Sequence, residues 1–305
     1  MSTEHLPQLV QGNADLLRAD VAVIADSGNY RTGVPTLNSS IRGATDIVVQ
    51  VRVLPSAKHS GSYGGPIPDA ITALARMIAS LHDDQGDVAI EGLKRFVWEG
   101  TQIPENEFRD ESGVLDSVEM IGSGTLADRL LSSPAVAVLG FDAPAIAGSS
   151  NQIVPIARAR VSLRLAPGDD PAAAREALVE HLRAHAPWGV EVTFEGGSGF
   201  GAGHGYLVDT SSPASRAAMD ALARAYGRDA IEVGSGGSIP LVPMLTQTFP
   251  GIEVLIWGAM DERSAIHSVN ESVELSEIEH IALAEAFFIR NLGERSDEPG
   301  ARLKA

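Results

Sequence analysis

The sequence predicts an α/β fold interrupted by an inserted α+β segment, on three observations. Short apolar runs rich in β-branched residues stop abruptly at turn residues, as in "VAVIADSG" and "EVLIWG", which suits buried strands of an α/β sheet. Helical stretches opened by Asp-Pro or Ser-Pro stand among the later strands. Between the early and late apolar runs lies one strand of strict alternation, "IARARVSLRL", the pattern of a sheet covered on one side.

Taken in order, residues 21–25 form the first strand and end in "DSGNYRTG", which puts Asp26 at a strand's C-terminal end, where open α/β sheets place their ligands. "IVVQVRV" (47–53) is a second strand, followed by the Gly-rich "KHSGSYGGP" and a helix from about Pro68 with apolar residues at helical spacing. Residues 84–130 are polar and weakly periodic. "AVAVLGF" and the alternating strand follow; Arg158, Arg160 and Arg164 share one face of the latter, opposite Ala159, Val161, Leu163 and Leu165. Asp170-Pro171 opens a helix, "VEVTF" is the next strand, and Ser212-Pro213 opens another helix that Gly227 stops. "VEVTF" and "EVLIW" flank this helix in a strand-helix-strand order. Ser276 and Glu279 have capping-box spacing, with Leu275 as staple. The expected division is discontinuous: residues 1–43 and 166–295 in one α/β unit, 44–165 in an inserted unit, 296–305 a loose tail.

The chain has 305 residues, enough for two domains. Its 23 Lys+Arg against 40 Asp+Glu give a formal charge of −17, which repels nucleic acid and anionic membranes, and no basic cluster offsets it. Without cysteine there is no disulfide, thiolate ligand or thiol nucleophile, so a metal site must use His, Asp and Glu. No signal peptide or transmembrane run is evident, and a cytoplasmic location is expected.

Several residues carry candidate chemistry. If the strands before Asp26 and His267 are neighbours, carboxylate and imidazole converge on one crevice and suit a divalent cation such as zinc. Read singly, Asp26 before Ser-Gly is a common Asx-turn residue, and His267 a hydrogen-bonded core or surface group. His59, among glycines, either presents imidazole to a developing oxyanion or sits in a plain surface loop. "GSGGSIP" (234–240) is an amide nest or a turn; it matches neither the P-loop nor the dinucleotide fingerprint. Arg164 can pair with a carboxylate of a ligand or of the protein surface. Neither a G-x-S-x-G elbow nor an H-E-x-x-H motif is present.

In order, "IADSG", "SIRG", "KHSGSYGG", "NQIVPIARARVSLRL", "GSGGSIP" and "AIHSVNE" resemble the C-terminal two-thirds of the carnosinase and aminoacylase type of dinuclear metallopeptidases, in the dipeptidase branch. The resemblance implies a catalytic α/β domain and an inserted α+β lid that makes a homodimer. It implies two metal ions, usually zinc, with manganese or cobalt as alternatives, and a dipeptide or N-acyl amino acid substrate. By resemblance Asp26 is a ligand of one metal and His267 of the other. His59 reaches the neighbouring subunit's site to steady the oxyanion, Arg164 grips the substrate's C-terminal carboxylate, and Gly237 and Ser238 line that pocket. The family's H-x-D motif, bridging aspartate and Glu-Glu pair, which lie upstream of "IADSG", have no counterpart in "STEHLPQLVQGNADLLRAD". The expectation is therefore weak metal binding and no hydrolysis by this chain alone. That outcome fits a truncated dipeptidase lacking its N-terminal half, the second piece of a split enzyme, or a non-catalytic dimerisation module.

Overall fold

The computed structural model describes residues 5–196 and 203–296. Its elements in chain order are α1 (Leu6–Gly12), α2 (Ala14–Leu17), β1 (Val21–Ile24), β2 (Thr36–Ile41), β3 (Gly43–Arg52), β4 (Lys58–His59), α3 (Ser60–Tyr63), α4 (Ala70–Ala79) and α5 (Glu105–Ser112). There follow β5 (Ala135–Asp142), β6 (Gln152–Ile153), β7 (Ile156–Leu165), α6 (Pro171–Ala184), β8 (Glu191–Gly196), β9 (Tyr206–Leu207), α7 (Pro213–Tyr226), β10 (Ile231–Ser235), α8 (Leu241–Thr248), β11 (Glu253–Ile256) and α9 (Leu275–Ser296). They fall into two compact units, one of residues 1–41, 98–114 and 206–305, the other of residues 42–97 and 115–205.

In the first unit β1 pairs in parallel with β11, and β2 lies between β10, parallel to it, and β9, antiparallel. Along β11 the side chains alternate between two apolar cores. Leu255 and Trp257 pack with α7 and α9, while Val254 and Ile256 pack with α1, α8 and Ile24. A strand with helices on both faces needs apolar residues at every position, which is why "EVLIW" does not alternate. Trp257 meets Phe288 of α9 edge to face, with ring centroids 5.2 Å apart. Helix α7 starts where Ser212 Oγ accepts the Ser215 N–H at 2.9 Å, and ends at Gly227, left-handed at φ 66°.

The second unit is a four-stranded antiparallel sheet in the order β5-β7-β3-β8. Its covered face presents Ile47, Val49 and Val51 of β3 with Ala157, Ala159, Val161, Leu163 and Leu165 of β7 to helices α4 and α6. The predicted alternation of β7 is thus realised. On the opposite face Arg160 pairs with Asp46 at 2.7 Å and Arg158 with Glu195 at 2.9 Å. Asp170 caps α6 by accepting the Ala173 N–H at 2.8 Å.

Three local expectations change. "VEVTF" (β8) pairs antiparallel with β3 and does not join β11, and α6 packs on the same sheet, so residues 166–205 fall in the second unit rather than the first. Residues 98–114 return to the first unit, where Glu107 of α5 takes Tyr30 Oη and Arg31, each at 2.8 Å. Helix α9 begins at Leu275, so Ser276 lies inside the first turn, with its Oγ toward Glu274, and forms no capping box. Of the expected tail, residues 296–305, Ser296 is the last residue of α9 and residues 297–305 lie outside the described residues.

Candidate active site at the ends of two parallel strands

Asp26 and His267 belong to loops that leave the C-terminal ends of β1 and β11. These strands are neighbours, with Ile24 opposite Ile256. The neighbourhood required for a shared crevice is present, and both side chains are exposed. The loops stay together beyond the strands: Gly28 bridges Met260, and the Asn29 N–H donates to the Met260 carbonyl at 2.8 Å. Thr32 then donates from its N–H to Glu262 at 2.9 Å and from its hydroxyl to Asp261 at 3.0 Å.

Two glycines permit this approach. A Cβ on Gly28 would stand 2.3 Å from the Met260 carbonyl oxygen, and one on Gly258 2.1 Å from that of Ser27. Neither position admits a side chain. Farther along the second loop Ala265, His267 and Asn270 all have positive φ, at 50°, 62° and 62°. Left-handed backbone at residues other than glycine costs on the order of 1 kcal/mol each and concentrates at functional segments.

Below the first loop is a buried polar network. Glu277 of α9, fully buried, accepts the Gly33 N–H and the Tyr226 hydroxyl, both at 2.7 Å, and the Asn29 side-chain amide. Asn29 Oδ1 accepts the Thr36 N–H at 2.9 Å, and Asn38 donates to the Gly28 carbonyl at 3.0 Å. Burial first, then the bond to Glu277 and its charge, raise the Tyr226 phenol far above its ordinary value, against a lowering by Asn29. Sequence reasoning missed this network. Its signal was the pairing of polar "SGN" and "TLNSSI" around a strand end, where buried side-chain amides must find partners.

Gly237 and Ser238 lie in the loop between β10 and α8, Gly237 exposed and Ser238 half-buried; Gly237 donates its N–H to Ser235 Oγ at 3.2 Å. The loop follows the C-terminal end of β10.

The second unit holds His59 and Arg164. His59 pairs with Gln152 in a two-stranded ribbon and caps the single turn α3: its Nδ1 accepts the Gly61 N–H at 3.1 Å. In the neutral ring the proton then sits on Nε2, an exposed donor. Arg164 lies opposite Ala44 near the other end of the β3–β7 ladder. From Ala44 to Arg52 that ladder is roughly 26 Å long at about 3.3 Å per residue. Beside Arg164 sits Arg42 of the "SIRG" segment, 4% exposed, whose guanidinium donates to the carbonyls of Leu130 at 3.0 Å, of Ser133, and of Arg164 at 3.4 Å. Burial, and secondarily the Arg164 charge, bring Arg42 down to about 10, so it stays protonated at neutral pH.

Among the described residues no group of three or more His, Asp or Glu is placed to hold a metal ion, and no helix is long and apolar enough to cross a membrane.

The α/β unit and the separate antiparallel unit match the architecture of the M20-family peptidases, an α/β fold with a separate dimerisation domain. Residues 41–190 match the peptidase dimerisation domain family. A cysteinylglycine-S-conjugate dipeptidase of Corynebacterium striatum is 37% identical over 294 residues, covering 95% of this chain and 64% of that protein. A Beta-Ala-His dipeptidase of Homo sapiens is 24% identical over 311 residues, covering 93% and 58%. Among solved structures, the di-peptidase Dug1p from Saccharomyces cerevisiae superposes with a TM-score of 0.79 at 19% identity, covering 96% of this chain and 63% of that one. An M20 family metallo-carboxypeptidase from Sulfolobus solfataricus gives 0.77 at 22% identity, covering 93% and 66%. At family level, these findings make the chain similar to the M20 peptidases. It spans roughly three-fifths of the length of the curated relatives it matches.

Proposed function

We propose that this chain forms part of a metal-dependent hydrolase of dipeptides or N-acyl amino acids that works as a homodimer. The supporting observation is the pair of interlocked loops that carry Asp26 and His267 from adjacent parallel strands. In this reading each residue would give one ligand to one of two metal ions, zinc or alternatively manganese or cobalt. Such ions, when bound, polarise the scissile carbonyl and activate water. The donor types are right, one carboxylate and one imidazole, but their number is short: the described residues do not by themselves fit a dinuclear centre. The chain's own contribution is then substrate recognition and charge stabilisation.

Arg164 suits the substrate's terminal carboxylate by a bidentate pair, and the amide loop at Gly237 and Ser238 suits a substrate carboxylate as well. His59, with Nε2–H outward, is a donor for the oxyanion. His59 lies in the β4–β6 ribbon and Arg164 within the β3–β7 ladder, opposite Ala44 at the end away from Arg52. In this reading His59 serves the substrate held by the Arg164 of the other subunit. The match of residues 41–190 to the peptidase dimerisation domain supports such a pairing of subunits.

A second reading, a non-catalytic dimerisation or interaction protein derived from such an enzyme, is favoured by the missing metal cluster among the described residues. A third, one subunit of a split metallopeptidase, shares that support. The purified chain, dialysed against excess zinc or manganese, is assayed for bound metal and for hydrolysis of Cys-Gly and β-Ala-His, with His267→Ala as control. Bound metal and turnover, both lost in the control, establish the enzyme; a dimer in sedimentation with neither establishes the non-catalytic reading. Turnover only on adding a second polypeptide establishes the split enzyme.

A further inference from the structure

Glu277 lies in the first turn of the 22-residue helix α9 and is wholly buried. A buried carboxylate is costly unless donors surround it. Here three donors do so, from Gly33, Tyr226 and Asn29, aided by the positive end of the helix. An apolar side chain would fill the same space without the desolvation cost, so this carboxylate needs another explanation than packing.

The bonds point to one. Two of the donors to Glu277, Asn29 and Gly33, bracket the turn that follows Asp26, and the third, Tyr226, also accepts from Asn29 at 2.8 Å. Asn29 in turn uses its own N–H on Met260, in the loop that runs on to His267. One carboxylate thus fixes the first loop at two points, and the first loop holds the second.

We propose that Glu277 is a positioning residue that sets the register between the loop bearing Asp26 and the loop bearing His267. Its bearing on catalysis rests on the functional reading above; the mechanical role does not. Glutamine at this position keeps the shape but turns an NH2 group toward donors, and the turn at residues 28–33 loses one of its two fixed points.

Amide hydrogen exchange on the full chain tests this. In Glu277→Gln, exchange in peptides covering residues 26–36 and 258–272 is expected to rise about tenfold or more, while those covering β1, β11 and the second unit keep wild-type rates. Tyr226→Phe, which removes a single donor, keeps the test alive if Glu277→Gln does not fold; it is expected to raise exchange in the same two loops by about threefold. Unchanged loops, or a rise shared equally by β1 and β11, overturn the proposal, the latter because it marks general destabilisation. Absence of metal and turnover in the preceding experiment overturns the functional reading and leaves the exchange pattern intact, so the two failures are told apart.

Discussion

The loop after β1, "DSGNYRTG", and the segment after β3, "KHSGSYGG", look alike in sequence and are built on opposite principles. In the first, glycine serves contact with a distant part of the chain: Gly28 is pressed against Met260, and Gly258 is pressed back against Ser27. In the second, the close approach is local, Gly64 against the Ser60 carbonyl four residues earlier, and Gly65 has open space around it at φ +96°. In the first loop Ser27 and Asn29 are buried, and Asn29, Tyr30 and Thr32 bond to distant parts of the chain; every residue from Lys58 to Gly65 is exposed. The same residue type records a tertiary interlock in one place and a freestanding turn in the other, and only the partner's position distinguishes them.

This comparison sets the order of expected effects. Gly258→Ala is expected to cost about 3 kcal/mol, because the new methyl meets backbone rather than a movable side chain. Chemical denaturation measures it, and a cost below about 1 kcal/mol would show that the interlock yields easily. Next, Tyr226→Phe is expected to lose about 1.5–2 kcal/mol at pH 7, as a hydrogen bond to a buried carboxylate does. Because folding raises the Tyr226 phenol, its stabilisation is complete below 10.0, the unfolded value, and declines as pH climbs above it. The stability gap between wild type and Tyr226→Phe should accordingly narrow above pH 10; a constant gap would place the phenol outside the network.

In the second segment, Gly65→Ala meets no atom and pays only for its backbone, about 1 kcal/mol. His59→Gln, on an exposed ribbon, is expected to leave stability within about 0.5 kcal/mol. If His59 acts on an oxyanion, the same substitution lowers kcat in any active assembly, which separates function from folding at that residue.

How much of this was legible in the sequence depends on whether one residue's neighbours lie near it in the chain. Helix α6 and strand β7 were readable because caps and alternation are local patterns. Strand β2 was not: "TLNSSI" is polar, yet all six residues are buried, since β9 and β10 flank it and Asn38 finds the Gly28 carbonyl. The assignment of "VEVTF" to the wrong sheet has the same origin, because strand identity was readable and strand partner was not. At the site, Asp26 and His267 were singled out and their strands are neighbours, whereas Glu277 was passed over for Ser276 and Glu279. An N-cap motif is defined by spacing alone, and Glu277 gains its meaning from Asn29 and Tyr226, far away in the chain.

The pairing of β1 with β11 joins segments more than two hundred residues apart in sequence. During synthesis β1 cannot meet β11 until the whole stretch between them has been made, while the sheet of β3, β5, β7 and β8 lies within that stretch and can close before. Such late, non-local closure slows folding and exposes a strand edge to the wrong partners. The time between the synthesis of the two strands is thus the stage at which shielding β1 from other chains matters most.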